Sequence, residues 1–481
     1  MNVRLLTVFI VFYTCCLANP LLNLNTEEYI VYENLESSSA YPYFNFSIKP
    51  FSLEKAYVIV ENPGRIKTYM NALSAPGYYW KPLNSLTMKV MHTTEDFFLL
   101  ENSAGTVLRK GINLYNFADG FLSTGKNFVL YYQIRHVKRN RLQKVELFRG
   151  YAKFKIGKVS LQAGKDNVHL GPGRFGLFLS STAEPFFLIK IQTEESFKVF
   201  GKWDFIFLKG WLKEKRKDID NPNLLALRVV WKPFDTLELG GTRSALFGGK
   251  GRPGLKLTEY PKMIIGSEEN IPYSKYDSDG YGGWDISLNL PVNRIFKSVK
   301  TLRVYYQEAG TDIKAWWQKE DRGKFYFPFG FKLLFMSYVA GFLMSTDKHI
   351  LRLEFTKVSD KWYIHHIYGI EGYTYRGIPL GHPYGRDSRS LILSHRFYFS
   401  KSSSFKYQLG LYEKPLTEKP SMKRYFISLG GEKRLKSLIL RLALRYDRTH
   451  NYDKNPSPVH FKIVRENKNF FSFQFAISWR L

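Results

Sequence analysis

The most constraining feature of this sequence is the strict alternation of its last residues, 471–481. Every second residue is large and apolar, in the order Phe471, Phe473, Phe475, Ile477, Trp479 and Leu481. The intervening residues are small or polar, in the order Ser472, Gln474, Ala476, Ser478 and Arg480. Because successive side chains of a β-strand point to opposite faces, this pattern predicts a strand with one apolar face. A terminal strand of this kind is typical of transmembrane β-barrels.

About 16 runs with the same period of two follow one another from residue 128 to the end of the chain. Several of them place guanidinium groups opposite an apolar face, as Arg441 and Arg445 do in the run 437–447 and Arg228 does in the run 224–232. A soluble β-sandwich also has alternating strands, and alternation alone leaves that alternative open.

The connections between these runs differ in length, and this separates the two fold classes. Short connections are predicted at 157–158, 194–196, 233–235, 345–348 and 401–404. Long connections are predicted at 166–185, 244–283, 308–328, 358–390 and 448–469. Barrels of bacterial outer membranes have short periplasmic turns and long extracellular loops. The sequence therefore predicts an all-β transmembrane barrel of about 16 antiparallel strands over residues 128–481, located in the outer membrane with its long loops extracellular.

The N-terminal residues predict export. A positive start at Arg4, an apolar stretch at 5–17 and small residues at Cys16 and Ala18 predict a signal peptide over 1–18. Acylation of Cys15 or Cys16 is the alternative. Both cysteines of the chain lie in this segment, so a mature chain would have neither disulfides nor thiolate metal ligands. Residues 19–127 are predicted to form a small periplasmic region with helices near 26–35 and 52–61.

Hydropathy and charge narrow the function classes. The mean hydropathy is −0.28, and only the run 329–344 approaches the length of a membrane helix, so a polytopic helical membrane protein is excluded. We interpret that run as a long or bent strand, with a membrane helix as the alternative. The chain carries a formal net charge of +29, of which the predicted leader contributes only Arg4. An exported basic chain is expected to meet anionic glycans or lipopolysaccharide phosphates rather than nucleic acid.

Two long segments, 154–185 and 363–391, resemble the Wzi family of capsule assembly proteins of Gram-negative outer membranes. The matching motifs are Ala163-Gly164-Lys165-Asp166, Gly171-Pro172-Gly173, Ala183-Glu184-Pro185, Leu353-Glu354-Phe355, Gly372-Tyr373, Gly381-His382 and Asp387-Ser388. The resemblance implies an outer-membrane barrel of about eighteen strands with a helical periplasmic region, which binds capsular polysaccharide and catalyses no reaction. Our strand count is one hairpin short of this, and the segment 358–390 is where we expect the missing strands.

Candidate sites for metals and catalysis are weak in the sequence. His365, His366 and His382 could ligate a metal, but adjacent histidines in a strand point to opposite faces and no spaced carboxylate completes a site, so we predict neither metal nor cofactor. Asp277, Asp279, Gly280 and Asp285 resemble a calcium loop that lacks its closing glutamate. No Gly-x-Ser-x-Gly nucleophile motif is present, so lipase or protease activity remains a minor alternative to a non-enzymatic role.

Aromatic and basic residues in the long loops are the best candidates for contact with acidic sugars. Aromatic rings stack on the apolar faces of sugars, and arginine binds carboxylates in a bidentate manner. The predicted contact residues are Arg174, Trp316, Trp317, Tyr373, Tyr375, Arg376, His382, Tyr384, Arg386 and Asp387. An aromatic girdle at the membrane interface would use the same residue types, so each residue alone is ambiguous.

A porin that passes anionic solutes is the alternative function, because an arginine-lined lumen would favour anions. Long loops such as 244–283 could instead fold inward and close the lumen. The expected partners are a capsular or other anionic surface polysaccharide, lipopolysaccharide and outer-membrane lipid, and we expect a monomer.

Overall fold

Eighteen antiparallel strands form a closed barrel. The computed structural model describes residues 47–50, 78–96, 98–99, 101–124, 127–266, 269, 271–272, 274–315, 331–400, 402–454 and 459–480. The wall strands are β1 (Tyr78–Thr93), β2 (Gly111–Thr124), β3 (Phe128–Arg139), β4 (Leu142–Ile156), β5 (Val159–Asp166), β6 (Phe186–Thr193), β7 (Lys202–Trp211), β8 (Asn223–Phe234), β9 (Leu237–Phe247), β10 (Asp279–Leu290), β11 (Thr301–Gly310), β12 (Ser337–Ser345), β13 (His349–Val358), β14 (Ser388–Ser400), β15 (Ser403–Lys414), β16 (Met422–Leu435), β17 (Leu438–His450) and β18 (Lys468–Arg480).

The wall has the inverse polarity of a soluble β-protein. On β6, Phe187, Ile189 and Ile191 face outward with 39–44% of their surface exposed, whereas Leu188 and Lys190 face the lumen and are buried. An outward apolar face with polar groups inside is the alternation of transmembrane barrels and confirms the predicted fold class. In the part of the chain that the structure describes, no helix has the length and apolarity needed to cross a membrane.

The last strand closes the barrel. β1 pairs with β2 on one side and with β18 on the other. The register brings Leu86 opposite Trp479, and the Thr87 hydroxyl donates to Ser478 Oγ over 3.0 Å. The alternating residues at the end of the chain therefore form a wall strand, as the sequence predicts.

The two ends of the barrel differ, also as predicted. One end has the connections 125–127, 157–158, 194–201, 235–236, 291–300, 346–348, 401–402 and 436–437. The other end has the connections 94–110, 140–141, 167–185, 212–222, 248–278, 311–336, 359–387, 415–421 and 451–467. The seven connections longer than ten residues all lie at this second end, which we call the long-loop end, although it also has the shorter connections 140–141 and 415–421.

The predicted start of the barrel is wrong, and this accounts for the missing hairpin. The wall begins with β1 and β2, which precede residue 128, and the segment 358–390 forms a loop rather than two wall strands. Around Pro82 the pairing of β1 with β2 shifts register between Lys81 and Ser85, which breaks the alternation that marks the later strands. The predicted leader and the predicted helices near 26–35 and 52–61 lie outside the described residues.

The run 329–344 is bent, as one of the interpretations had it. Its described part comprises a short strand, Phe331–Leu334, and then β12, with Phe335 between them at a φ of 49°. The small elements outside the wall are the paired strands Ile48–Lys49 with His169–Leu170, Phe98–Leu99 with Val107–Leu108, Asp312–Ala315 with Phe331–Leu334 and Thr374–Tyr375 with Ile378–Pro379, the strand Phe197–Lys198, the helix α1 (Tyr260–Ile264) and the 3₁₀ turns Leu257–Glu259 and Val292–Arg294.

Candidate functional site

The connection between β5 and β6, residues 167–185, fills the lumen, and we call it the plug loop. All of its residues are buried. Glu354 on β13, nearly half the circumference away, accepts hydrogen bonds from the backbone N–H groups of Arg174 (2.7 Å) and Phe175 (3.3 Å). The same carboxylate accepts a hydrogen bond of 2.7 Å from the Tyr305 hydroxyl on β11. The plug loop therefore crosses the lumen and is fixed to the opposite wall.

The Gly-Pro-Gly turn permits this close approach. Gly171 has a φ of 122°, in the region that favours glycine, and a Cβ at this position would lie 2.8 Å from the Gln307 side chain. Just before the turn, His169 Nε2 lies 3.0 Å from the carbonyl oxygen of Gly173. The motif thus bends the chain and brings its backbone against the wall.

The connection between β13 and β14, residues 359–387, covers the plug loop, and we call it the cap loop. The Tyr363 hydroxyl donates to the carbonyl of Leu177 over 2.7 Å. The Tyr363 ring stacks on Tyr373 at 5.6 Å, and Tyr281 contacts Tyr373 edge-on at 4.8 Å. Burial raises the pKa of the Tyr363 and Tyr373 hydroxyls, so both phenols stay protonated. These rings form an aromatic core between the cap loop and the plug loop.

Most of the predicted polysaccharide-contact residues belong to this interior. The buried ones are Arg174, Tyr373, Tyr375, His382, Tyr384 and Asp387. Tyr384 stacks on Tyr412 at 4.2 Å, and the Asp387 carboxylate accepts a hydrogen bond of 3.2 Å from the backbone N–H of Thr417. His382 packs edge-on against Phe175 at 5.7 Å, and burial lowers its pKa to about 3. In this conformation these side chains are enclosed among the loops, and their contact with a polysaccharide stays a prediction.

The remaining predicted residues have different positions. Arg376 is exposed, with 40% of its side chain accessible, and its Nη1 lies 2.5 Å from Glu184 Oε2. Arg386 donates to the carbonyl oxygens of Val459 (2.6 Å) and Asp360 (2.7 Å), which joins the cap loop to the connection 451–467. Trp316 and Trp317 lie outside the described residues.

A buried carboxylate attaches the connection 94–110 to the wall. Glu101 accepts hydrogen bonds from Arg445 Nη1 (2.7 Å) and from the Tyr384 hydroxyl (3.0 Å). Burial alone would raise the pKa of Glu101, but the charge and hydrogen bonds of Arg445 outweigh it and bring the pKa to about 2. Glu101 is therefore ionised at neutral pH, and the contact is a charged one.

This contact predicts an unusual acid dependence. Because the folded-state pKa of Glu101 is depressed from 4.5 to about 2, its contribution to stability is complete above about pH 4.5 and declines as the pH falls towards 2. Hydrogen exchange of the backbone amides at 94–110 should therefore stay slow at pH 5, and Glu101→Gln should make it fast there. Release of this connection by the parent protein between pH 6 and 5 would contradict the assignment.

Four lysines that the sequence analysis did not single out form an exposed surface at the long-loop end together with the predicted Arg376. This surface, which we call the basic rim, consists of Lys213, Lys215, Lys217, Lys250 and Arg376. None of its four lysines forms an ion pair with another residue that the structure describes. The charge run Lys-Glu-Lys-Arg-Lys-Asp at 213–218 carried the signal, because its period of two turns the lysines outward and the other three residues inward.

Arg216, the one arginine among the three inward residues of that run, joins the basic rim to the cap loop. Its guanidinium donates to the carbonyl oxygens of Gly372 (2.7 Å) and Thr374 (3.1 Å). Its Nε lies 2.7 Å from Asp218 Oδ1, and its Nη1 lies 3.1 Å from Glu214 Oε1. The carboxylates of Glu214 and Asp218 balance the buried charge of Arg216. These contacts fix the backbone of the segment that carries the three exposed lysines.

The inner wall is rich in arginine, as predicted, and arginines there form ion pairs with carboxylates. Arg228 on β8 forms a bidentate ion pair with Asp285 on β10, at 2.6 and 2.9 Å. Arg135 on β3 lies 2.5 Å from Glu146 and 2.7 Å from Glu184 of the plug loop. Two cavities lined in part by Arg174 of the plug loop have volumes of about 150 and 110 Å³.

The geometric argument against a histidine cluster is wrong. His365 and His366 lie in the cap loop and not in a strand, so their rings need not point to opposite faces. Both contact Asp277, with His365 Nε2 3.5 Å from Oδ1 and His366 Nε2 3.1 Å from Oδ2. His382 lies apart from them, in the core between the cap and plug loops.

Comparisons with known proteins agree with this architecture. The model of the family described as capsule assembly protein Wzi matches residues 85–467. Among solved structures, the chain is similar to Wzi of Escherichia coli, described as an outer membrane protein involved in group 1 capsule assembly and a carbohydrate-binding β-barrel. The two are 15% identical with a TM-score of 0.69, over 96% of this chain and 100% of that chain.

Lower structural similarity extends to outer-membrane proteins of Pseudomonas aeruginosa. OprD is 10% identical with a TM-score of 0.48, over 85% of this chain and 97% of that chain. OccK3 is 11% identical with a TM-score of 0.49, over 86% of this chain and 98% of that chain. Comparison of the sequence with curated proteins finds no match.

Proposed function

The chain belongs to the family of capsule assembly protein Wzi, and from that premise we propose that it binds an anionic surface polysaccharide and assists capsule assembly at the outer membrane without catalysing a reaction. One observation carries the proposal: the lumen is filled by the plug loop, whereas the lysines of the basic rim lie outside it and form no ion pair with the residues that the structure describes. A barrel with a filled lumen and a charged loop surface is suited to binding rather than to passage of solutes.

We propose that the long-loop end faces outward from the cell and the short turns face the periplasm, with the N-terminal region on the periplasmic side. Outer-membrane barrels have this sidedness, and the clustering of loops at one end supports it. At the short-turn end, Trp203 and Trp231 stack at 5.4 Å on adjacent strands, as expected for an interfacial aromatic girdle. The apolar outer wall would contact lipid and lipopolysaccharide, and the protein would be a monomer.

Binding to the basic rim would be polyvalent. An exposed ion pair contributes about 0.2–1 kcal/mol and is screened by salt over about 8 Å at physiological ionic strength. A polymer that repeats its negative charge engages several such contacts at once, and their sum gives a useful affinity. Of the residues predicted from the sequence, Arg376 would contribute directly, and the buried tyrosines and His382 would shape the loops that present the rim.

We expect Lys213→Gln, Lys215→Gln, Lys217→Gln and Lys250→Gln together to reduce binding of a polyuronate. Loss of four exposed contacts should weaken affinity at least about fivefold, because each contributes a few tenths of a kcal/mol or more. The measurement is the affinity of purified full-length protein for alginate, with neutral dextran as the comparison. Raising the salt concentration should weaken the binding of alginate by the parent protein.

A matched control removes the same charge from the opposite end. Lys158, Lys297, Lys348 and Lys436 are exposed near the short turns, and their replacement by Gln should leave alginate binding unchanged. Equal losses in the two quadruple variants would mean that net charge, not the basic rim, attracts the polymer. Equal affinity for dextran and alginate would exclude recognition of an acidic polymer.

A further inference from the structure

The cluster of Asp277, His365 and His366 lies at the long-loop end beside an open cavity of about 410 Å³. Asp277 belongs to the connection 248–278, and the two histidines belong to the cap loop. One ligand atom from each residue lies within 4.8 Å of the other two. Ligand atoms at about 2.0–2.2 Å from a tetrahedral zinc ion are spaced by little more than 3 Å, so binding of an ion would draw these three atoms closer together.

The buried part of the cluster has unused ligand atoms. The Asp277 side chain is 1% exposed and the His365 side chain 9%, yet Asp277 Oδ1 and His365 Nε2, which lie 3.5 Å from each other, form no hydrogen bond with the described residues. A buried carboxylate oxygen without a partner is costly, and a cation is a partner that would relieve the cost.

From this geometry we propose that Asp277, His365 and His366 form a binding site for a divalent transition-metal ion of the zinc class. Two imidazoles and one carboxylate suit zinc and its neighbours, whereas calcium and magnesium require predominantly oxygen ligands. Three protein ligands leave one coordination position open, which is the arrangement of an accessible zinc site. That position would be filled by water from the cavity.

The surroundings of the cluster would orient its ligands. Arg252 Nη2 donates to the carbonyl oxygen of Asp277 over 3.0 Å and so fixes the backbone that carries the carboxylate. Ligation through His365 Nε2 would place the ring proton on Nδ1. The protonated Nδ1 could then no longer accept the hydrogen bond of 3.3 Å that the backbone N–H of Ile367 donates to it. Since this contact is near the limit of a hydrogen bond, its loss is small beside a metal–nitrogen bond.

The metal would join two connections that are far apart in sequence. Residues 248–278 follow β9, and the cap loop follows β13, so a shared ion would link them at the long-loop end. This inference is independent of polysaccharide binding, because the cluster shares no residue with the basic rim. Its test reads metal content and loop protection, so its outcome is distinct from that of the alginate experiment.

The test uses purified full-length protein, stripped of metal with a chelator and then titrated with Zn²⁺ by calorimetry and elemental analysis. We expect one zinc per chain, no competition from Ca²⁺ and slower proteolysis of the cap loop when zinc is bound. His366→Ala should weaken binding at least about tenfold, the minimum effect seen even for outer-shell partners of metal ligands. His366 is half exposed, so this variant should fold, and Asp277→Asn should have an effect at least as large.

A second close histidine pair provides the control. His349 and His395 stack at 5.2 Å near the short-turn end, and their replacement by Ala should leave zinc binding unchanged. A parent protein that takes up no zinc, or a His366→Ala variant that binds zinc as the parent does, would overturn the site. The heat-dependent migration of each variant on a detergent gel verifies that its barrel has formed.

Discussion

Replacement of the plug loop by a short turn is expected to convert the barrel into an open channel. Asp166 and Phe186 are register partners at the ends of β5 and β6, so a Gly-Ser turn in place of 167–185 can join these strands without changing the wall. The change removes the backbone contacts to Glu354 that fix the loop across the lumen. In planar bilayers, the parent should give no steady current, and the variant should give anion-preferring currents at least about tenfold above that background.

A deletion outside the lumen is the matched control. Residues 255–266 include α1, whose Tyr260 packs edge-on against Phe207 and Phe247 rather than against the plug loop. Replacing this segment by a short turn should leave the barrel closed. Steady, large, anion-preferring currents from the parent protein would favour the porin alternative, and a folded plug variant that stays closed would show that the cap loop alone blocks the lumen.

The wall could be predicted from the sequence because a membrane imposes one rule on every strand. Lipid requires apolar residues outside, and the lumen accepts Lys190 or Arg228, so the period of two survives even where strands are short. The rule failed at β1, where Pro82 and the register shift beside it interrupt the alternation. This irregularity concealed β1 and β2. In the structure β1 is fixed by its pairing with β18, which is distant in sequence, and β2 by its pairing with β3.

The interior of the loops could not be predicted in the same way. Tyr373 and Tyr384 have the composition of a sugar-binding surface, but their burial depends on contacts with Tyr281 and Tyr412 from other hairpins. Sequence spacing does not reveal which side of a long loop faces the lumen. The converse error concerns His366, whose convergence on Asp277 depends on two loops meeting at one end of the barrel.

The paired arginines of the lumen lead to the largest stability prediction. Arg228 and Asp285 are both fully enclosed, and Arg228 Nη1 also donates to Thr242 Oγ1 over 2.7 Å. Asp285→Ala would leave an unpaired guanidinium in the wall and should cost about 3–5 kcal/mol of the free energy of unfolding. The measurement is urea denaturation of the protein in detergent or vesicles, followed by tryptophan fluorescence.

The combined replacement Arg228→Met with Asp285→Leu tests two alternatives. Either the ion pair stabilises the protein on balance, or each of its charges is costly only when it loses its partner. Because desolvation of two ions offsets most of their attraction, we expect the double variant to be much more stable than Asp285→Ala alone, and close to the parent. A double variant as unstable as the single one would mean that the pair itself contributes most of the stability at this site. The comparison therefore decides whether the bidentate contact, which spans β8 and β10 across β9, itself stabilises this part of the wall or only compensates two buried charges.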